Sequence, residues 1–230
     1  MAAVFAVVAT GVALVFAGQL FRQYAARRRP HALAWGLSLG LYGVASGCVA
    51  VGVLAGWTPA VFGVYWVAGA LLTVPLLAAG QLLLMDPRRS VLYWTLAGLC
   101  AAWAVLFTLM APFNVAALAD AGSGAGAAIP LGREVLGDAM AYRLLTPFNY
   151  LFVIVVAGSV WSAVRTRRWG LLLIALGVTV SAAASSMAGD AARTQFFPVL
   201  LAAGVALMYG GFVAAGKPSR RRELTETAAA

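Results

Sequence analysis

Charge is scarce in this chain. Only 10% of its 230 residues are Asp, Glu, Lys or Arg, against about 25% in a typical soluble domain, and that excludes an ordinary water-soluble fold. Histidine occurs once, at His31, and cysteine twice, at Cys48 and Cys100. A membrane cytochrome needs paired axial ligands for its haem, and a zinc site needs His, Cys, Asp or Glu clustered at ligand spacing. Neither pattern exists, so no cofactor and no metal is expected. Both cysteines fall in apolar segments, where a thiol behaves as a small hydrophobe, and neither a disulfide nor a nucleophile is expected of them. With no nucleophile and base pair in view, an enzyme ranks behind other classes. Carboxylates are missing from the middle of every apolar segment: Asp86 sits at a boundary, and Asp120, Glu134, Asp138 and Asp190 lie between segments. Ionisable groups at membrane depth mark proton and ion paths, so coupling through a midplane carboxylate is disfavoured.

Apolar sequence fills the space. Hydrophobic residues make up 63% and the mean hydropathy is +0.92. Seven stretches approach the roughly 20 residues that cross a bilayer: 2–21, 32–55, 60–84, 91–111, 147–164, 169–188 and 197–215. Their apolar runs are continuous instead of alternating, which predicts helices and not barrel strands. The first is expected to stay in the mature protein, because it has no basic region before it and arginines after it.

Basic residues orient these spans. Thirteen of the sixteen fall in four clusters, namely Arg22 with Arg27 to Arg29, Arg88 with Arg89, Arg165 with Arg167 and Arg168, and Lys217 with Arg220 to Arg222. All four clusters lie at the same end of the threaded helices. Positive charge stays cytoplasmic, so the expected fold is an all-α, polytopic seven-transmembrane-helix bundle with the N-terminus outside and the C-terminus inside. Residues 1–216 form the membrane domain and 217–230 a basic cytoplasmic tail, placed in a bacterial inner membrane. The net charge of +9 lies beside apolar segments, with no separate polar domain to read nucleic acid. Anionic headgroups at the cytoplasmic face are the expected partner, at about 1 kcal/mol per Lys or Arg.

One connection is long, the outer loop 112–146. Its Ala/Gly-rich part, Ala116 to Pro130, reads as flexible. From Leu131 to Leu145 the residues Leu131, Val135, Leu136, Ala139 and Met140 share a helical side, with Glu134 and Asp138 on another, which predicts a short amphipathic helix lying on the outer interface.

Small residues mark seams between helices. Gly36, Gly40, Gly43 and Gly47 share one face of the second helix, and Gly177, Ser181 and Ser185 share one of the sixth, patterns that permit close backbone approach. A repeat of three helices, a linker and three more also fits. Ala17-Gly18-Gln19-Leu20-Phe21 parallels Ala157-Gly158-Ser159-Val160-Trp161, each followed by arginines, and Val67-Ala68-Gly69-Ala70-Leu71 parallels Ala202-Ala203-Gly204-Val205-Ala206.

Polar groups within the spans are neutral: Gln19, Tyr42, Tyr65, Thr73, Gln81, Thr179, Ser181, Ser185, Ser186 and Tyr209. Tyr65, Thr73, Ser181, Ser185 and Tyr209 could line a cavity for a neutral or amphipathic small molecule, or bond between helices. Glu134, Asp138, Arg143 and Asn149, with the i, i+3 pair Asp190 and Arg193, could rim an outer vestibule, the alternative being a solvated rim of weak ion pairs.

In the third helix, Tyr65-Trp66, Leu72-Thr73-Val74-Pro75-Leu76-Leu77 and Leu82-Leu83-Leu84-Met85-Asp86 resemble the third helix of microbial rhodopsins. That family holds retinal on a lysine of the seventh helix, and the segment from Phe197 to Ala215 has none. A retinal pigment is therefore excluded, and Pro75 reads as a kink whose freed carbonyl is met by neighbours. Through Tyr65 to Gly80, Arg143 to Asn149 and Gly210-Gly211-Phe212, the chain also resembles seven-helix membrane proteins of GC-rich bacteria, a likeness that implies no activity. The functional expectation is small-molecule or lipid transport or binding; the alternative is a non-transporting scaffold or sensor subunit.

Overall fold

The computed structural model describes residues 2–124, 127–166, 170–187 and 197–216, and no strand occurs among them. Helix α1 runs Ala2–Arg27 and α2 runs Pro30–Ala55. The third rod, α3, spans Pro59–Met85 and α4 spans Ser90–Leu109. Four short helices follow: α5 (Val115–Asp120), α6 (Gly132–Leu136), α7 (Met140–Arg143) and α8 (Leu145–Tyr150). The last three rods are α9 (Phe152–Thr166), α10 (Gly170–Met187) and α11 (Phe197–Gly216).

Five helical stretches are long and apolar enough to cross a bilayer: Ala3–Arg27, Pro30–Ala55, Pro59–Met85, Pro87–Leu109 and Met140–Arg165. Shorter apolar stretches lie in α10 and α11. The chain is thus an all-helical, multi-pass membrane protein by length and composition. The first helix extends six residues past the expected Leu/Phe boundary, to Arg27.

Local chemistry explains the breaks. Pro30 and Pro59 each occupy a first helical position, where the missing N–H is not needed, and the Thr58 hydroxyl caps α3 by accepting from the Val61 N–H at 3.2 Å. Between α3 and α4 the Asp86 carboxylate accepts from the Arg88 N–H at 3.2 Å and pairs with Arg89 at 3.4 Å, holding a tight 3-10 turn.

The rods α1, α2, α3, α9, α10 and α11 close into a ring, each packed on the next and α11 returning to α1. Helix α4 stands outside, against α3. Only 17% of its apolar window is buried, compared with 61% for α3, and its contact face uses Ala97, Ala104 and Thr108. Exchanging α1 with α9, α2 with α10 and α3 with α11 maps the ring of neighbours onto itself. The chain is therefore laid out as two three-helix arcs joined through α4.

Glycines set the spacing as expected. Side chains added at Gly36, Gly43 and Gly47 would meet Phe21, Leu14 and Thr10 of the antiparallel α1, so this face of α2 is the α1 seam. Gly40 borders open space. On the other arc, a Cβ at Gly177 would lie 2.5 Å from the Gly204 carbonyl of α11.

The connection after α4 departs from its sequence reading. Among its described residues, 112–124 and 127–146, the expected surface helix is replaced by short helices that pack as a plug against α3 and α4. The Trp57 indole donates to the Ala128 carbonyl and the Trp66 indole to the Ala141 carbonyl, both at 3.0 Å. Val135 and Leu136 are 1% and 2% exposed, which the expected interfacial helix could not provide. Gly137, at φ +54°, breaks that helix after Leu136.

Candidate functional site

Each arc contributes to a core at the end of the ring where the arginines cluster. Phe16 of α1, Trp35 and Leu39 of α2 and Leu77 of α3 come from the first arc. Val155 of α9, Ile174 of α10 and Met208 and Phe212 of α11 come from the second. Between them lies an apolar cavity of about 20 Å³. All six ring helices touch it, so it sits on the ring's axis. Leu77 is eight residues before Met85, which at 1.5 Å per residue puts the cavity about 12 Å inside the arginine end.

Its walls offer nothing to a polar ligand. The Trp35 indole N–H is already given to the Leu77 carbonyl at 3.2 Å. A void this size could hold about one water, but apolar voids stay dry. Toward the plug end the Tyr42 hydroxyl crosses the ring and donates to the Leu201 carbonyl of α11 at 3.0 Å. Beyond it an aromatic cluster joins α3 to the plug: Phe62 stacks on Trp66 at 5.7 Å, and Trp66 on Tyr142 at 6.1 Å.

Helix α3 is not a uniform rod. Residues Trp66–Leu72 form a π-helical segment just before Pro75. The Thr73 hydroxyl donates to the Ala68 carbonyl at 2.8 Å, and Ser38 of α2 donates to the Thr73 carbonyl at 2.7 Å. Pro75 removes one helical donor, and these hydroxyls meet carbonyls of the disturbed turn. Such π segments concentrate at functional sites and hinges.

Two seams join the arcs, and each carries side-chain hydrogen bonds. At α1/α11, Gln19 Nε2 donates to Tyr209 Oη at 2.8 Å, with Phe16 packed on Tyr209 at 5.4 Å and on Phe212 at 5.0 Å. At α3/α9, Ser159 donates to Gln81 Oε1 and Gln81 Nε2 donates to Ser162, both at 3.5 Å. Gln81 is 1% exposed. Of the parallel pentapeptides, Gln19 and Ser159 each bond across a seam, to Tyr209 and Gln81, and Gly69 packs on Ala45 of α2 while Gly204 packs on Ser181 of α10.

The expected site residues are spread over different levels. Tyr65 belongs to the plug-end aromatics, 5.6 Å from Trp57. Thr73 is in the π/Pro75 region, Tyr209 in the α1/α11 seam and Ser181 in the α10/α11 contact. Asp138 and Arg143 pair at 3.3 Å in full exposure, and half-buried Asn149 lies on α8. The Ser185 side chain, and Asp190 and Arg193 altogether, lie outside the described residues. Glu134 is exposed; its backbone carbonyl accepts from Asn114 Nδ2 at 3.3 Å. The apolar lining, and the pairing of Gln81 with α9, went unseen in the sequence. The only signal for Gln81 was its polarity inside an apolar helix.

No family model, curated protein or solved structure matches the chain.

Proposed function

We propose that this chain is a seven-span membrane protein, its plug end outside and its arginine end in the cytoplasm, that binds and moves a small neutral or amphipathic molecule along the ring's axis. The observation that carries this reading is the cavity lined by both arcs and all six ring helices. Parallel repeats related by an axis along the membrane normal can rock against each other around a site at their interface. The space of about 20 Å³ is too small for such a molecule, so the arcs must move apart to take one. Mass spectrometry of the protein purified in mild detergent, with flux measured in liposomes, tests it: a molecule retained at one per chain and carried across supports the reading. Neither retention nor flux across lipid, metabolite and isoprenoid mixtures defeats it.

The peripheral position of α4 favours a second reading, a scaffold or sensor subunit. Trp103, Leu106 and Leu109 on α4 are exposed to lipid or to a neighbouring protein. A crosslinked partner on this face, together with absence of flux, would select it.

A further inference from the structure

The two seams between the arcs are held by different contacts. The α1/α11 seam is closed by a 2.8 Å hydrogen bond and two aromatic contacts. In the α3/α9 seam the bonds of Gln81 to Ser159 and Ser162 are both 3.5 Å long, the outer limit of useful geometry, and the α9 side presents the small residues Gly158, Ser159 and Ser162. Helix α3 also carries the π segment and Pro75 immediately before the cavity-lining Leu77. A π segment and a proline mark the point at which α3 can bend, between an earlier portion held to the plug through Trp66 and the portion from Thr73 to Met85 that lines the seam.

Charge flanks the same seam. Helices α3 and α9 run parallel, with Gln81 level with Ser159 and Ser162, so Arg165 on α9 lies level with the turn after α3. That turn holds Arg88 and Arg89. Arg89 is paired with Asp86; Arg88 and Arg165 have no acidic partner among the described residues and are exposed. The seam thus leads from an arginine pair at the surface to an apolar cavity with no free hydrogen-bonding group. That sequence of environments matches one ligand class, a single apolar chain bearing an acidic head.

We propose that the α3/α9 seam is a lateral portal through which an acidic single-chain amphiphile enters, its head held by Arg88 and Arg165 and its chain in the axial cavity, which must widen well beyond its present 20 Å³ as the seam parts. This rests on the functional reading above and names its substrate class and route. A polar latch of neutral groups suits a portal, because it can break and re-form without leaving a charge in the bilayer.

The seam can be locked. A Cβ built at Gly158 lies 2.6 Å from Gln81 Cγ, which places the two Cβ positions within about 4 Å of each other, inside disulfide range. The test uses the full chain with Cys48 and Cys100 replaced by alanine, carrying Gln81→Cys and Gly158→Cys, in phosphatidylcholine nanodiscs. The probe is ω-bromoundecanoate, whose bromine quenches nearby tryptophan, and Trp35 lines the cavity; the quenching lost on Trp35→Phe isolates its share. We expect quenching of Trp35 in the reduced protein, its loss on oxidation and its return on reduction of the same sample. Neutral ω-bromoundecanol should quench weakly, and Arg88→Gln with Arg165→Gln should weaken the bromoundecanoate response about thirtyfold, from roughly 1 kcal/mol per cation. Equal quenching with the seam locked, equal response to the alcohol, or no Trp35 quenching overturns the proposal. Flux is read separately: saturable binding through the seam without transport keeps the portal and removes the carrier.

Discussion

Gly132 and Trp66 provide the sharpest test of the docked plug. Gly132 opens α6 with its backbone against the six-membered ring of Trp66, so that a Cβ there would collide with the indole. Trp66 cannot retreat easily, since it is 5% exposed, stacked between Phe62 and Tyr142 and bonded to the Ala141 carbonyl at 3.0 Å. Gly132→Ala should then behave as core overpacking, at about 1–3 kcal/mol, although alanine is the better helix former by up to about 1 kcal/mol. Trp66→Ala removes a buried aromatic and should cost about 3–5 kcal/mol. The double variant decides the matter: with the ring gone, the alanine at 132 has room, and its penalty should vanish, giving a coupling of about 1–3 kcal/mol between the two positions. Thermal unfolding followed with a thiol-reactive dye can report this, because Cys48 and Cys100 are free and partly buried. At roughly 2–4 °C per kcal/mol for a chain of this size, Gly132→Ala alone should lower the midpoint by several degrees and change nothing further in the Trp66→Ala background. If the loop were a mobile linker, Gly132→Ala would be neutral in both backgrounds, and that result would refute the docking.

Further predictions follow from the same contacts. Gly204→Ala forces a Cβ onto Ser181 and should destabilise by about 1–3 kcal/mol, whereas Gly210→Ala, facing open space, should be neutral or stabilising by up to about 1 kcal/mol in the same dye assay. Tyr209→Phe deprives Gln19 of its 2.8 Å acceptor and should cost about 1–2 kcal/mol; Gln19→Leu added to it should recover part of the loss, and full additivity of the two would count against the bond. Asp138→Asn breaks an exposed ion pair and should shift stability by less than about 1 kcal/mol at any salt concentration.

Much of the scaffold was legible because it rests on local periodicity. The small residues at Gly36, Gly43 and Gly47 mark the α1 contact, and Gly177 and Ser181 mark the α11 contact. The plug was not legible, since its order comes from distant residues: Ala128 and Ala141 are tied down by indoles 71 and 75 positions away. An Ala/Gly-rich stretch has no signal of its own for such docking. The amphipathic pattern of Leu131 to Leu145 was real, but Val135 and Leu136 face protein instead of lipid, and a hydrophobic side cannot tell the two apart. Tyr65, Thr73 and Tyr209 were singled out as polar groups in apolar helices, and that trait does not encode depth. Thr73 and Tyr209 are occupied within the helix and across a seam. The cavity escaped notice for the opposite reason: its walls are Leu, Val, Ile, Met, Phe and Trp, which in a membrane helix are indistinguishable from lipid-facing residues.

Closure of the ring, with the first helix against the last, can be measured directly. Phe16 and Phe212 lie 5.0 Å apart between ring centres. In membranes, the Phe16→Cys, Phe212→Cys variant of the cysteine-free protein, with a protease site inserted at Ser123, should run as one species after a short bifunctional maleimide and cleavage. Two separate fragments under those conditions, while the Gln81→Cys, Gly158→Cys pair also fails to join them, would mean that the arcs do not enclose a common axis.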